Sequence, residues 1–235
     1  YIFLGFFIFF LLTLASNFSG PHDSIAYLNG MVKGNALFHQ HHLIYHFITH
    51  YWLVFMRSVF TAIPDYYLEE VFTALWGSGS LAIAYCFFRK RFGLSSLLSL
   101  LGTSVIAFTY GIWFYSVNIE VYAPPIFFLL AALYKLTDRN FSQADVWKVV
   151  LLQCAAILFH QVHMLFSITI LYFFWKNRNK LNIRNAIVQY AAIGIVLVGG
   201  AYFIVGWIVE EQNSFSKWVA WMQGYAKGDA YWRSI

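Results

Sequence analysis

Long apolar runs with few charges between them are the feature that most restricts the fold of this 235-residue chain. Only 11% of its residues are charged, whereas a soluble domain has about 25%. A helix needs about 20 mainly apolar residues to cross the ~30 Å hydrocarbon core of a bilayer, and several runs come near that length. The runs also lack the strict alternation of membrane barrel strands. The sequence therefore predicts an all-α polytopic membrane protein.

About seven runs are predicted to cross the membrane, and together they form one transmembrane module over residues 1–208. The first outer loop is residues 17–67, and the outer amphipathic segment 209–235 is expected to begin a further region. Several runs are short, which predicts local thinning of the bilayer or re-entrant ends. The predicted spans are 1–16, 68–88, 95–114, 121–137, 147–162, 163–175 and 186–208.

The distribution of Lys and Arg decides how residues 43–63 lie. If this run lies flat in the interface, the basic clusters at 89–91, 135–148 and 176–184 share the cytoplasmic side, as the positive-inside rule requires. Those clusters hold ten of the fifteen Lys and Arg residues. If the run crossed the membrane, the first two clusters would move outside. The sequence therefore predicts an amphipathic interfacial helix, with His42, His46 and His50 along one polar stripe.

In this topology all eight histidines lie on the outer side, together with Asp23 and Glu120. Protonated imidazole and guanidinium groups bind phosphate oxygens well, so a phosphate or pyrophosphate site is expected there. Two structural alternatives remain open. Asp23 could be a helix N-cap, and His160 and His163 could form interhelical hydrogen bonds. The candidate phosphate- or substrate-binding residues are His39, His41, His42, His46, Arg57, His160 and His163.

Three short motifs occur in order along the outer side: "GPHDS" at 20–24, "GNALFHQHHLIY" at 34–45 and "IEVYAPP" at 119–125. Following a first apolar span, they resemble the start of the GT-C superfamily of membrane glycosyltransferases, and most closely its protein O-mannosyltransferase-like and related bacterial members. Those proteins carry an acid in the first outer loop, then a "HPPGYPLY"-like segment and an "AEVY"-like motif. Here "HQHHLIY" stands in the second place, without the prolines or the glycine.

The resemblance implies a GT-C-like bundle of about seven transmembrane helices with an interfacial helix in the first outer loop. It also implies an inverting transfer of a sugar from a polyprenyl-phosphate donor to an acceptor on the non-cytoplasmic face. Asp23 would be the catalytic base or a ligand of a divalent metal ion, and Glu120 a second acid at the same site. The implied location is a bacterial inner membrane, with the site facing the periplasm or the cell exterior.

Three other functions remain open. The chain is alternatively a non-catalytic accessory subunit of a larger membrane complex, a histidine-box metalloenzyme or a transporter. A transporter predicts internal repeats and paired broken helices, which the sequence does not show. The expected partners are a lipid-linked sugar donor, membrane lipids and a larger membrane complex. The net charge of +5 is small and scattered, so it indicates membrane topology rather than nucleic-acid binding.

The predicted topology has a direct test. In a background without Cys86 and Cys154, the variants Gln40→Cys and Lys90→Cys should react with an impermeant thiol reagent from opposite sides of the membrane. The reason is that residue 90 belongs to a basic cytoplasmic cluster, whereas residue 40 lies in the outer loop. Labelling of both cysteines from the same side would contradict the topology.

Overall fold

A computed structural model of the chain describes residues 1–15, 22–35 and 37–223. These residues form helices joined by turns, and no strand occurs among them, which confirms the all-α prediction. Residue 16 of the predicted first span, residues 17–21 and 36 of the predicted first loop and residues 224–235 of the predicted outer segment lie outside the described residues. The helices are α1 (Ile2–Leu12), α2 (His22–Lys33), α3 (Tyr45–Val59), α4 (Asp65–Lys90), α5 (Ser96–Ala107), α6 (Tyr110–Val117), α7 (Ala123–Leu136), α8 (Val146–Phe159), α9 (Ser167–Lys176), α10 (Ile183–Val209) and α11 (Phe215–Met222), with 3₁₀ turns at Gln143–Asp145 and Gln161–Phe166.

Two of the described helices, α4 and α10, are long and apolar enough to cross a membrane. They have 26 and 27 residues, and α10 contains π-helical turns at Ile195–Gly199 and Ile204–Val209. The helices α5 and α6 have 12 and 8 residues, so they would make a third span only as a pair, and they are bent by 70° at the turn between them. The described residues thus contain two candidate membrane spans, or three if the bent pair is one span, and the count of seven spans stays a prediction.

The other predicted spans are shorter than a straight crossing requires. Among the described elements, α1 has 11 residues, α7 and α8 have 14 each, and α9 has 10. At 1.5 Å per residue, a 14-residue helix is about 21 Å long. The predicted interfacial run 43–63 forms α3 with 15 residues, about 22 Å in length.

Helix α4 lies at the centre of the bundle and packs against α1, α3, α5, α6 and α7. Small residues on α4 allow this close approach. A Cβ atom built on Gly77 would lie 2.1 Å from Ser116 Oγ, and one built on Gly79 would lie 2.9 Å from the Phe127 ring. A second core, formed by α7, α8, α9 and α10, includes Val149, Ile170 and other buried apolar residues.

The three basic clusters meet at one end of the bundle. The Arg91 guanidinium contacts the Asp138 carboxylate at 3.1 Å, and Lys180 Nζ donates to the Arg139 carbonyl at 3.2 Å. Lys135 and Lys148 both contact the Asp145 carboxylate at 3.0 Å. The opposite ends of α7 and α8, at Ala123 and Phe159, adjoin the segments that carry Glu120 and His160. The basic clusters and these two site residues therefore lie at opposite ends of α7 and α8.

The contact between Gly77 and Ser116 gives a stability prediction. Gly77→Ala should lower the free energy of unfolding by about 1–3 kcal/mol, because the added methyl group overpacks the α4–α6 interface. The matched control is Gly194→Ala in α10, where a Cβ atom meets no atom within 4 Å; alanine there should leave stability equal or slightly higher. Thermal unfolding in detergent measures both, and equal stability of the two variants would contradict the packing.

Candidate functional site

An irregular segment, residues 37–44, carries three of the candidate histidines between α2 and α3. Its backbone is held by distant parts of the chain: Gln161 N donates to the His41 carbonyl at 2.7 Å, and Ile44 N donates to the Leu158 carbonyl at 3.2 Å. The Tyr202 hydroxyl donates to the Gln40 carbonyl at 2.6 Å. Buried backbone groups must find such partners. The segment is therefore fixed against the end of α8 and against α10.

The histidines of this segment line a cavity of about 290 Å³, which we call the histidine cavity. Its volume is near the lower end of the ~300–1,000 Å³ that small-molecule sites occupy. Helices α2 and α3, the segment before α7 and the turn after α8 all contribute to its wall. The lining residues are Asp23, Ala26, Tyr27, His39, His41, His42, His46, Val121, Tyr122 and His160.

The two predicted acids are brought close together beside this cavity. Asp23 is the second residue of α2, so it lies in the first turn, where a carboxylate interacts favourably with the helix N-terminus, rather than at the N-cap. The Ser24 hydroxyl donates to the Ile119 carbonyl at 2.8 Å and so joins α2 to the segment of Glu120. Burial raises the pKa of Glu120 to about 7; the charge of Asp23 raises this pKa further, and a hydrogen bond from the Val121 amide opposes the rise.

The imidazole rings pack against one another and against Tyr27. The rings of His39 and His42 stack with centroids 4.5 Å apart, and the Tyr27 ring lies 5.2 Å from that of His42 and 4.9 Å from that of His46. Burial lowers the pKa of His42 to about 2, with the nearby imidazoles as further causes. It also lowers the pKa of His41 to about 4, assisted by the charges of His39 and His160. His41 and His42 are therefore neutral at pH 7.

The tautomer of His41 follows from its contact with Gln161. Gln161 Nε2 lies 2.8 Å from His41 Nδ1. Because an amide nitrogen only donates, Nδ1 accepts this hydrogen bond, and the neutral ring carries its proton on Nε2. The Nδ1 atom of the neighbouring residue, His42, is buried without a hydrogen-bond partner in the described part of the chain. Neutral imidazoles of this kind can both donate to and accept from a polar ligand.

Two candidate residues lie away from the cavity wall. The Arg57 guanidinium is bound by the Asp65 carboxylate, with Nε–Oδ1 and Nη2–Oδ2 distances of 2.6 and 2.5 Å. It thus joins the end of α3 to the start of α4. His163 lies in the 3₁₀ turn, with its ring 5.8 Å from that of His160. Burial lowers its pKa to about 4, and the charge of His160 contributes. Of the two, only His163 adjoins a residue that lines the cavity.

The cavity wall includes several side chains of the types that bind metal ions, among them Asp23 and the histidines. Within the described ranges, no three His, Cys, Asp or Glu side chains converge so that they could hold a metal. The imidazole rings of His39 and His42 are stacked, and those of His42 and His46 are tilted against each other by 59°. A divalent metal ion bound to Asp23 stays a prediction of the sequence analysis.

The sequence analysis did not identify two aromatic residues of the cavity wall or two buried acids of α4. Tyr27 and Tyr122 supply aromatic walls to the cavity, whereas Glu69 and Glu70 are buried carboxyl groups near the start of α4. The glutamates had a detectable signal. They form an adjacent acidic pair inside the predicted span 68–88, and acids inside an apolar span are usually functional.

The lowered pKa values of the histidines predict acid sensitivity. His41 and His163 have pKa values of about 4 in the folded chain, against 6.5 ordinarily. Between these values the unfolded chain binds more protons, so stability must fall as the pH falls from about 6.5 towards 4. In His41→Gln the thermal midpoint should therefore fall by a few degrees less over this pH range than in the unaltered chain. For a chain of this size, 1 kcal/mol of stability corresponds to about 2–4 °C in the thermal midpoint.

The measurement is the thermal midpoint of both proteins at several pH values. Between pH 7 and 8 His41 is neutral in the folded chain, so the two proteins should respond to pH alike over that range. An equally steep loss of stability in the variant below pH 6.5 would show that His41 takes up its proton without unfolding.

Comparisons with known proteins gave no match: no family model, no curated protein and no solved structure is similar to this chain.

Proposed function

We propose that the chain is a GT-C-type membrane glycosyltransferase and that the histidine cavity is its active site. The observation that carries this proposal is the position of Asp23 on the cavity wall beside Glu120, whose pKa is raised to about 7. A carboxyl group with a pKa near the working pH suits proton transfer during catalysis. Two acids with different environments can divide the roles of base and acid.

The reaction needs a base for the acceptor and hydrogen-bond donors for the leaving group. Asp23 takes the proton of the acceptor hydroxyl while that oxygen bonds to the anomeric carbon of the sugar. The bond from this carbon to the phosphate oxygen breaks, and the lipid phosphate leaves with the electron pair. Glu120 in its protonated form, and the N–H groups of His41 and His42, can donate to phosphate oxygens.

A second cavity supports a lipid-linked donor. It has a volume of about 510 Å³ and a mainly apolar lining that includes Ile157, Ile195 and Val198. Gln161 lines it as well, while the same side chain holds the His41 ring in the histidine cavity. Gln161 thus connects a polar site suited to a phosphate and a sugar with an apolar site suited to a hydrocarbon chain.

The proposed arrangement in the membrane uses all the apolar elements. The seven predicted spans correspond in order to α1, α4, the bent pair α5–α6, α7, α8, α9 and α10. We infer that they cross together as a GT-C-like bundle, with the bilayer thinned around the short helices. The three basic clusters would face the cytoplasm, and the histidine cavity would open to the periplasm or the cell exterior. A bacterial inner membrane is the proposed location.

The proposal predicts the effect of removing the base. Asp23→Asn should reduce turnover by about 10²–10⁴, because the amide keeps the shape of the side chain but cannot take up a proton. The assay is transfer of labelled sugar from a panel of polyprenyl-phosphate hexoses by the full chain in membranes, with thermal stability as a check on folding.

The matched control is Asp138→Asn, which removes a carboxylate at the basic end of the bundle and should leave turnover within about twofold. Full activity of Asp23→Asn would exclude Asp23 as the base. If the unaltered chain transferred no sugar from any donor, the result would favour the alternative, a non-catalytic accessory subunit of a larger membrane complex.

A further inference from the structure

A further cavity lies along α4 and shares no lining residue with the two cavities described above. Its volume is about 700 Å³, within the ~300–1,000 Å³ that small-molecule sites occupy. Residues of α4 form one side of it, and α1, α3 and α7 contribute the aromatic residues Phe3, Trp52, Phe127 and Tyr134. We call this cavity, whose lining is almost wholly apolar, the α4 groove.

The spacing of the lining residues on α4 makes the groove run along the helix. They include Phe72, Trp76, Gly79, Ile83 and Cys86, which follow one another at intervals of three or four residues and so share one helix face. From the first to the last of these, α4 rises by about 21 Å at 1.5 Å per residue. One leaflet contributes about half of the ~30 Å hydrocarbon core. The groove is therefore long enough for the part of an acyl chain that crosses one leaflet.

Small side chains on α4 leave the space that the groove occupies. Gly79, Ala82 and Cys86 all line it, in the half of α4 that ends at the basic cluster 89–91. A Cβ atom built on Gly79 would lie 2.9 Å from the Phe127 ring. The absence of a side chain at Gly79 thus lets this ring of α7 lie directly against α4 and form the opposite wall.

The end of the groove away from the basic cluster has a fixed aromatic wall. Trp52 Nε1 donates to the Leu68 carbonyl at 2.8 Å, which holds the indole ring in place. The ring centroid of Phe72 is 5.6 Å from that of Trp52 and 6.0 Å from that of Trp76. This end therefore suits the end of a hydrocarbon chain rather than a polar headgroup.

The other end of the groove meets the basic residues that end α4. Tyr134 lines the groove there; the Arg91 guanidinium carbon is 4.3 Å from the centroid of its ring, and Arg91 Nη2 donates to its carbonyl at 2.9 Å. Arg89 and Lys90 follow Cys86 by three and four positions. They therefore lie one turn beyond it, on the helix face that lines the groove.

Two of these three cations have no acid beside them. Arg91 is paired with the Asp138 carboxylate at 3.1 Å. Arg89 and Lys90 are exposed, and no carboxylate pairs with either of them among the residues that the structure describes. Arg89 Nη1 donates to the Leu94 carbonyl, which leaves its charge uncompensated. Two positive charges are thus available for an anion at the mouth of an apolar groove.

We propose that the α4 groove binds an anionic phospholipid, with one acyl chain along α4 and the phosphate at Lys90 and Arg89. The groove requires a hydrocarbon chain and its basic end requires an anion, and a phospholipid carries both. Basic clusters beside membrane helices attract anionic lipids, and Lys and Arg form charge-assisted hydrogen bonds to phosphate oxygens. A zwitterionic lipid would bring a cation of its own towards the same two charges. Because α4 is a candidate membrane span, such a lipid can enter from the bilayer. This binding does not rest on sugar transfer.

Photocrosslinking of the full chain tests the proposal. The chain is placed in nanodiscs of phosphatidylcholine that contain a small fraction of phosphatidylglycerol with a photoreactive diazirine at the end of one acyl chain. After illumination, peptide mass spectrometry should find the label on the groove residues of α4 and α7. Unlabelled phosphatidylglycerol should compete with the labelled lipid about tenfold better than phosphatidylcholine with the same acyl chains, because two cations bind its headgroup.

A pair of variants tests the place of the acyl chain. Ala82→Phe puts a ring into the groove and should remove at least nine-tenths of the label on α4 and α7. The matched control is Ala192→Phe, which puts the same ring at an exposed position of α10 outside the groove and should leave the label unchanged. Thermal unfolding in detergent checks that both variants fold.

A second pair tests the place of the headgroup and decides the matter if Ala82→Phe does not fold. Lys90→Gln should lower the preference for phosphatidylglycerol over phosphatidylcholine about fivefold, the effect of one cation at a membrane surface. Its matched control is Lys176→Gln, which removes an exposed charge at the end of α9, a helix that packs against α10. This change should leave the preference within about twofold.

Three results would overturn the proposal. The label could spread evenly over the exposed helix faces, or phosphatidylcholine could compete as well as phosphatidylglycerol in the unaltered chain; either would show ordinary bilayer lipid at the groove. A polyprenyl phosphate that competed better than phosphatidylglycerol would instead assign the groove to the lipid-linked donor. Loss of the label in Ala82→Phe together with a reduced preference in Lys90→Gln, both absent in the controls, is the result that we expect.

Discussion

The structure depends above all on how the irregular backbone at 37–44 finds its hydrogen bonds. Helices satisfy their own amides, but an irregular segment in an apolar bundle must use partners from elsewhere in the protein. Here the His41 carbonyl accepts from Gln161, and the Ile44 amide donates to Leu158. These bonds tie the first loop to the end of α8, about 120 residues later. They also fix the positions of the imidazole rings that line the histidine cavity. The geometry of the site therefore follows from the hydrogen bonds that the backbone of this segment must make.

The sequence predicted the elements better than their directions. Hydropathy identified α4 and α10 because each has enough apolar residues for a full crossing. Pro124 and Pro125 lie in the first turn of α7, where proline is favoured, so the start of this helix is also predictable from the sequence. The bend of 70° between α5 and α6 is not predictable in this way. Hydropathy averages composition over a window and carries no information on direction, and the apolar residues continue through the turn.

The site was predictable as a set of residues but not as a shape. Placing Asp23, the histidines of the first loop, Glu120 and His160 on one side of the membrane limited them to one end of the bundle. Their meeting at a single cavity depends on tertiary contacts such as that between Ser24 and Ile119, separated by 95 positions. Arg57 shows the opposite case. Its charge suited a phosphate, but an aspartate eight residues later supplies a nearer partner.

The low charge of the cavity wall has a physical reason. Each ionised group in a buried site loses hydration, so a cluster of protonated imidazoles would repel itself and destabilise the fold. Keeping His41 and His42 neutral avoids that cost in the empty site. A bound anion reverses the balance, because its negative charge favours the protonated form of every imidazole that it contacts. A proton must then be drawn from solvent or from a neighbouring acid. Glu120, with a pKa of about 7, can gain or lose a proton near neutral pH. At neutral pH a bound anionic ligand therefore favours positive charge on His41 and His42, which are neutral in the empty cavity.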